Sequence, residues 1–207
     1  MRELYVLKLP EADSGDPYTR YQAVAPVEAP PEACTACGAP VALPDWLAPY
    51  QVRLSASGAL LADVAFGPRT DLLVTREFLA FWNRAGLFGL SGFEPVEVLD
   101  VSAQTTFTGE DREYLHCAVA RTEAMLDEKE SEAERTGGMP CAQCGSGGVL
   151  KHLRQVVLKN PPAAGLDLFV VKGLTTAVLA SKRFAGALAG ARVTGCQLVA
   201  ADQIRAL

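Results

Sequence analysis

Four cysteines in this sequence stand in two copies of one short pattern. Cys34-Thr-Ala-Cys37-Gly38 and Cys141-Ala-Gln-Cys144-Gly145 both read C-x-x-C-G. Two residues between the cysteines let both thiolates face one ion from a tight turn, and the glycine that follows can adopt positive φ. Four thiolates are the ligand number of a closed tetrahedral zinc site. The motifs therefore predict one shared structural zinc site, with zinc as the cofactor and these ligands: Cys34, Cys37, Cys141 and Cys144.

The separation of the two motifs indicates what such a zinc would do. Cys34 and Cys141 are 107 positions apart, whereas a compact zinc ribbon has roughly 15–20 residues between its cysteine pairs. A zinc ion here would join two distant parts of the chain. It would belong to the architecture of the fold.

Other interpretations of the cysteines stay open at this stage. The pairs could be redox dithiols or disulfides, or turns with partial or no metal, although both lie in Pro/Gly/Ala-rich connections and nothing suggests export. Cys117 and Cys196 lie outside the motifs and are expected to be buried small side chains. His152 could reach a metal near Cys144, but four thiolates already complete a site.

Composition limits the classes of function. The chain has 207 residues, 49% of them apolar and 21% charged, with a net charge of −5. This acidity makes nucleic-acid binding unlikely and favours a basic partner, or simply solubility. We expect a cytoplasmic protein without membrane segments, because the sequence shows no signal peptide and no apolar run of about 18 residues.

Several segments recur at a similar offset to the cysteines. Val74–Phe78 resembles Ala180–Phe184, and residues 90–96 match 193–199 once the second copy is shortened by three residues, which pairs Gly92 with Gly195. The strand-like start at residues 4–7 has a counterpart at 114–117. We interpret this as an internal repeat, with halves of about 1–108 and 109–207 in a single domain of residues 1–207.

The repeat predicts an α+β fold. Thr75 and Ser181 follow apolar, strand-like runs and are good helix N-caps. Phe78 and Trp82 in one copy, and Phe184 in the other, then lie on one helical face and are expected in the core. Each half should contain strands plus one helix, and the four-cysteine, zinc-ribbon-like site should bridge the two halves.

Residues 110–135 are ambiguous between helix and strand. The repeat favours a strand over Tyr114–Ala120, followed by an acidic loop that ends near Glu134. The simplest interpretation of the acidic run is a solvated face, and the functional alternative is a docking surface for a basic partner.

Catalytic patterns are missing from the sequence. There are two histidines, and neither accompanies a nucleophile elbow or a zinc-protease spacing. The sequence contains no P-loop and no dinucleotide-binding fingerprint. A zinc with four thiolates also leaves no open position for substrate. We therefore expect a protein that is not an enzyme.

The twin motifs, the segment LDLFVVKGLTTAVLASKRF and the chain length resemble the double-CXXCG motif family of myxobacteria. Some members of that family are immunity proteins encoded beside polymorphic toxins used in kin discrimination. The resemblance implies that the four motif cysteines are the family's cysteines. It also implies a toxin–antitoxin type of protein–protein interaction with a cognate bacterial toxin. The net charge of −5, and not the resemblance, makes a basic nuclease a candidate for that toxin. The sequence departs from a common family form because neither first cysteine is followed by proline.

Two other functions stay open. A zinc-ribbon adaptor in nucleic-acid transactions would need a basic face that bears aromatic residues. An enzyme would need a pocket in which scattered carboxylates converge.

Overall fold

The computed structural model describes residues 3–11, 15–103, 112–162 and 165–202. In these residues the protein has sixteen strands and two helices. The first nine strands are β1 Leu4–Lys8, β2 Thr19–Ala23, β3 Val27–Ala29, β4 Asp45–Leu47, β5 Gln51–Ala56, β6 Val64–Phe66, β7 Leu72–Thr75, β8 Leu90–Pro95 and β9 Glu97–Ala103. The other seven are β10 Tyr114–Leu126, β11 Glu134–Thr136, β12 Val149–His152, β13 Leu158–Lys159, β14 Leu168–Lys172, β15 Leu174–Ser181 and β16 Gln197–Ala200. The helices are α1 Arg76–Arg84 and α2 Lys182–Ala189.

One large sheet contains twelve of these strands. Its order is β16-β1-β15-β14-β10-β7-β6-β2-β5-β9, and β8 and β13 also pair with β10. The other four strands form two separate antiparallel pairs, β3 with β4 and β11 with β12. This strand-rich arrangement with two helices agrees with the predicted α+β class.

Both helices begin where the sequence predicts. The Thr75 hydroxyl accepts a hydrogen bond from the Phe78 N–H at 3.3 Å, and the Ser181 hydroxyl accepts one from the Phe184 N–H at 3.1 Å. These N-caps satisfy backbone donors that the first helical turn leaves unpaired. Within the described part of the chain, neither helix has the length and apolar character needed to cross a membrane.

The two helices meet in one core. Phe78 and Trp82 of α1 and Phe184 of α2 are buried, and the rings of Trp82 and Phe184 lie 6.0 Å apart. The same cluster includes residues of β7, β10, β14 and β15. The prediction that these aromatic residues form core is confirmed.

Strands β1 and β10 each pair with strands of the other predicted half. β1 pairs with β15 and β16, which flank α2, whereas β10 pairs with β7 and β8, which flank α1. The registers correspond, because Leu4 lies opposite the N-cap Ser181 and Tyr114 lies opposite the N-cap Thr75. The strands around α1 and the strands around α2 thus belong to one sheet. The predicted boundary at residues 108–109 lies outside the described residues.

The ambiguous segment forms strand β10 from Tyr114 onward, as the repeat predicts. β10 extends to Leu126, farther than the predicted end at Ala120. The acidic run follows in a turn, where Glu128 pairs with Arg135 and Glu132 with Arg154. These carboxylates are therefore partly neutralised by the protein's own arginines.

Two buried aspartates make matching contacts at the helix starts. The Thr75 hydroxyl donates to Asp63 at 3.2 Å and the Ser181 hydroxyl donates to Asp167 at 2.7 Å. Each carboxylate also accepts a backbone N–H from the segment after the other helix, from Thr194 at 2.8 Å and from Phe88 at 2.9 Å respectively. Each aspartate thus ties one helix start to the end of the other helix.

The predicted pairing of Gly92 with Gly195 is wrong. A Cβ on Gly195 would lie 2.3 Å from the Val64 carbonyl oxygen, and one on Gly89 would lie 1.9 Å from the Leu168 carbonyl oxygen. Val64 and Leu168 each follow one of the two aspartates, so the surroundings of Gly89, and not those of Gly92, match the surroundings of Gly195. Both glycines have positive φ and leave room for a crossing strand. When Gly89 is aligned with Gly195, the second copy needs no three-residue deletion between its helix N-cap and this glycine.

Candidate metal centre

Each C-x-x-C-G motif lies in the long connection of one small strand pair. The first knuckle, residues 34–38, lies between β3 and β4, and the second knuckle, residues 141–145, lies between β11 and β12. We call residues 27–47 and 134–152 the first and second knuckle hairpins. Neither strand pair is part of the large sheet, so the four cysteines belong to appendages of that sheet.

The two knuckles have the same backbone hydrogen bonds. The Gly38 N–H donates to the Cys34 carbonyl at 2.8 Å, and the Gly145 N–H donates to the Cys141 carbonyl at 2.8 Å. Both glycines have positive φ, +73° and +70°. A residue with a Cβ is strained at such angles, which explains why glycine follows each second cysteine.

The fold brings the four predicted cysteines together. The Cys34 and Cys141 sulfurs are 4.0 Å apart, the Cys37 and Cys144 sulfurs are 3.7 Å apart, and all four lie within 4.8 Å of one another. A tetrahedral zinc with bonds of about 2.3 Å separates its sulfurs by about 3.8 Å. The thiol spacing fits a zinc ion, and the geometry is consistent with a metal site without naming the metal.

The chemistry of the four thiols also suits a cation. Burial opposes the Cys144 thiolate, but hydrogen bonds from Ser146 and neighbouring thiols lower the pKa of Cys144 to about 6. At Cys37 the backbone N–H of Ala39 favours the thiolate, yet desolvation and the crowded thiols raise its pKa to about 12. Four like charges at this spacing repel, so full ionisation requires a positive ion among them.

Direct contacts hold the two knuckles against each other. The Gln143 side-chain amide donates to the Thr35 hydroxyl at 2.9 Å, and the Ser146 hydroxyl donates to the Pro40 carbonyl at 3.2 Å. Both contacts join the first knuckle hairpin to the second. The thiols are therefore brought together by protein contacts as well as by any metal.

The first knuckle hairpin is anchored to the sheet through Trp46 and two arginines. The buried Trp46 ring stacks on Tyr21 and meets Tyr50 and His116 edge to face. Arg69 pairs with Glu28 and also donates to the Pro44 carbonyl. Arg121 pairs with Asp45 and donates to the Leu43 carbonyl. Both arginines stabilise the strands that carry the first knuckle.

The second knuckle hairpin is anchored by close backbone packing and by Arg135. That side chain pairs with Glu128 and donates to the Gly173 carbonyl. Gly145 lies so close to Gly173 that an added Cβ would be 2.7 Å from the Gly173 Cα. The absence of a side chain at Gly145 thus allows both the knuckle turn and the close packing of the knuckle against the β14–β15 connection.

The remaining candidates lie away from the thiols. Cys117 is buried in the core, as predicted, and Cys196 is half-buried beside the same cluster. His116 is buried in the aromatic group around Trp46, with its Nε2 3.7 Å from Asp71. His152 is exposed on β12 and is not in the group of ligand atoms.

Sequence reasoning missed the residues that position the cysteines. Thr35 and Gln143 occupy the variable positions inside the two motifs, where any residue is compatible with metal binding. Their contact spans 108 positions, and no local pattern indicates it. Trp46 carried a weak signal, since a large aromatic residue in a Pro/Ala-rich connection is a natural anchor.

Comparison with known proteins adds no relative. No protein-family model matches the chain, and no curated protein matches it significantly. The resemblance to the double-CXXCG motif family therefore stays a prediction, which depends on the cysteine motifs and their separation.

Proposed function

We propose that this protein is a non-catalytic immunity protein that binds and neutralises a cognate bacterial toxin, with a structural zinc on its four motif cysteines. The convergence of two cysteine pairs 107 residues apart carries the proposal. It supports zinc through the sulfur spacing. It supports immunity only through the resemblance, because the same four residues define the motif shared with that family.

The zinc would act on architecture. Cys34 and Cys37 would hold it from the first knuckle hairpin, and Cys141 and Cys144 would hold it from the second. With four thiolates bound, the ion has no free coordination position for water or substrate. Its contribution is to fix the relative position of two hairpins that share few other contacts.

The proposal includes an internal duplication with exchanged strands. Each unit consists of a strand that ends in an N-capped helix, followed by a returning strand, and the unit is completed by the first strand of the other half. The matching contacts of Asp63 and Asp167 support it, as do Gly89 and Gly195. Two zinc knuckles in one chain then have a simple origin, because each half supplies one.

The partner and compartment follow from charge and from the resemblance. A net charge of −5 suits a basic toxin in the cytoplasm, such as a nuclease. A zinc-ribbon adaptor for nucleic acid is less well supported, because residues 27–47 contain three carboxylates and neither lysine nor arginine.

The test is co-expression with the product of the neighbouring gene, combined with metal analysis. We expect one zinc per wild-type chain, protection of the host cell, and loss of both in Cys37→Ser. Cys196→Ser is the matched control and should keep zinc and protection, because this cysteine lies outside the motifs. A wild-type protein without bound metal would contradict the zinc site. A neighbouring product that is harmless or never binds this protein would contradict immunity.

A further inference from the structure

A cavity of about 850 Å³ lies at one end of the large sheet, beside the start of α2. It opens where β1 begins at Leu4 and where β15 ends at Ser181. Small-molecule sites in proteins have volumes of roughly 300–1,000 Å³ and mostly apolar walls. This cavity has both properties, because its lining includes these apolar residues: Leu4, Val156, Leu158, Leu166 and Phe169.

The charged groups around the cavity neutralise each other. Glu3 pairs with Lys182 at 2.8 Å, and Asp167 pairs with Arg183. In the described part of the chain, these two ion pairs contain all the charged residues that line the cavity. A charged ligand would lose its hydration there without gaining an unpaired counter-charge. The cavity therefore favours an uncharged molecule.

The corresponding place next to the other helix is occupied by a tyrosine ring. We call the surroundings of the α1 N-cap and of the α2 N-cap the α1 side and the α2 side. On the α1 side, Tyr114 lies opposite the N-cap Thr75 and is only 1% exposed. The Tyr114 hydroxyl donates to the Ala62 carbonyl. On the α2 side, Leu4 has the same position opposite Ser181, and it is half-buried and lines the cavity.

A second position also has less side chain on the α2 side. Leu61 precedes Asp63 by two residues and is buried in the same core cluster as Tyr114. Gly165 precedes Asp167 by two residues and lines the cavity. Apart from its chain neighbours, no described atom would lie within 4 Å of a Cβ on Gly165. Two side chains that fill the α1 side are thus smaller or absent on the α2 side, which accounts for the cavity.

We infer that this cavity binds an uncharged aromatic molecule that carries a hydroxyl group, in the place that the Tyr114 ring has on the α1 side. The residue that corresponds to Ala62 is Leu166, because each directly precedes its aspartate. The ligand hydroxyl would therefore donate to the Leu166 carbonyl. Burial of the ligand's apolar body against Leu4 and Phe169 would supply most of the binding free energy. The cavity is larger than one tyrosine ring, so the preferred ligand has more than one ring or an apolar substituent.

This inference goes beyond the proposed immunity function and does not depend on it. The lining residues of the cavity in the described part of the chain include none of the four motif cysteines. A small-molecule site here and a metal site on the knuckles can therefore be tested separately.

The experiment measures the binding of naphthol to the full-length protein by calorimetry. Naphthol is neutral near pH 7 and carries one hydroxyl. Methoxynaphthalene has the same rings without the donor, and naphthalene sulfonate has the same rings with a charge. We expect one naphthol to bind per chain, methoxynaphthalene to bind roughly threefold to tenfold more weakly, and naphthalene sulfonate to bind at least about tenfold more weakly.

Leu4→Tyr gives the α2 side the side chain that the α1 side has. Naphthol affinity should fall about tenfold or more, because the new ring occupies the cavity. The melting temperature should stay equal or rise, because more apolar area is buried. Leu4→Phe is a second filling variant, whose ring needs no partner for a hydroxyl. The matched control is Leu99→Tyr, the same change at an exposed leucine of β9, which should alter affinity less than about twofold.

Each contrary result would overturn a definite part of the inference. Absence of saturable naphthol binding to the wild type would overturn the site. Unchanged affinity in both Leu4 variants would place naphthol elsewhere and overturn the cavity as its site. Equal affinity for naphthol and methoxynaphthalene would overturn the role of the hydroxyl group. Tighter binding of naphthalene sulfonate would overturn the uncharged class of ligand. All of these results would leave the zinc and immunity proposals standing.

Discussion

The large sheet and the knuckle hairpins are stabilised in different ways. Around the helices, β7, β14 and β15 contribute nearly continuous buried apolar runs, and Phe78, Trp82 and Phe184 fill the space between them. The hairpins have short strands, and their attachments are Trp46, a few arginines and the thiols. The sheet is thus held by apolar burial, whereas the hairpins depend on a few specific contacts, to which the proposed metal would add.

This difference implies that metal loss and core damage affect separate parts of the protein. Small zinc fingers unfold without zinc because they have no other core. Here the sheet has its own core, so removal of zinc should release the hairpins and spare the sheet. The chain's two tryptophans report on the two regions, Trp46 on the first hairpin and Trp82 on α1.

The largest effect is expected from Phe184→Ala. This side chain is fully buried between the helices and the sheet, and its removal leaves a cavity that typically costs about 3–5 kcal/mol. Urea unfolding should show this loss in the free energy of unfolding. The control is Phe88→Ala, the same change at a residue that is 60% exposed, with an expected loss below about 1 kcal/mol. Equal losses in the two variants would contradict the assigned core.

Chelation of zinc, or Cys37→Ser, should change the hairpins more than the sheet. In single-tryptophan variants made by Trp46→Phe or Trp82→Phe, the emission of Trp46 should shift on metal loss while that of Trp82 stays constant. The melting temperature should fall less than in Phe184→Ala, because the apolar core is intact. Simultaneous change of both tryptophan signals would show that the metal is coupled to the whole fold.

Asp167→Asn should destabilise the junction of the two halves in a pH-dependent way. Burial opposes this carboxylate, but hydrogen bonds from Arg183, Ser181 and the Phe88 N–H hold the pKa of Asp167 below its usual range. A lowered pKa in the folded state stabilises above the ordinary carboxyl pKa, and the benefit disappears as pH falls through the folded value.

The expected loss for Asp167→Asn is about 1–3 kcal/mol at pH 7, and it should shrink below about pH 4. Arg183 is half exposed, so solvent screens part of its contribution. Unfolding curves at several pH values measure this, with Asp100→Asn on the exposed side of β9 as the control. A loss that is constant down to pH 3 would contradict the ionised role of Asp167.

The smallest effect should come from the contact between the knuckles. Thr35→Val together with Gln143→Leu removes the hydrogen bonding between these two side chains, worth about 0.5–1.5 kcal/mol, and leaves the Ser146–Pro40 hydrogen bond in place. The rate of zinc transfer to a chelator should rise roughly threefold to tenfold, with no change in sheet stability. The control is Thr136→Val, at an exposed threonine whose hydroxyl donates to the Val149 carbonyl within the second hairpin. An unchanged rate in the double variant would show that the Thr35–Gln143 contact does not help to hold the knuckles together.

Local patterns in the sequence predicted much of what is local in the structure. The N-caps Thr75 and Ser181, the buried helical faces and the strand from Tyr114 were recognisable, because capping and periodicity depend on residues a few positions apart. The glycine alignment failed at Gly92. Similarity over a few residues does not determine which glycine lies in close contact with the backbone of a distant strand.

The sequence by itself determined two C-x-x-C-G turns, two capped helices and a net negative charge. Only the tertiary structure decided that the turns meet at zinc distance, that β1 and β10 cross between halves, and that Trp46 faces inward so that Leu47 faces out. The physical reason is the distance along the chain between the residues that interact. Turn and helix signals are set by neighbours in the chain, whereas strand partners are chosen by the total apolar area that the finished sheet buries.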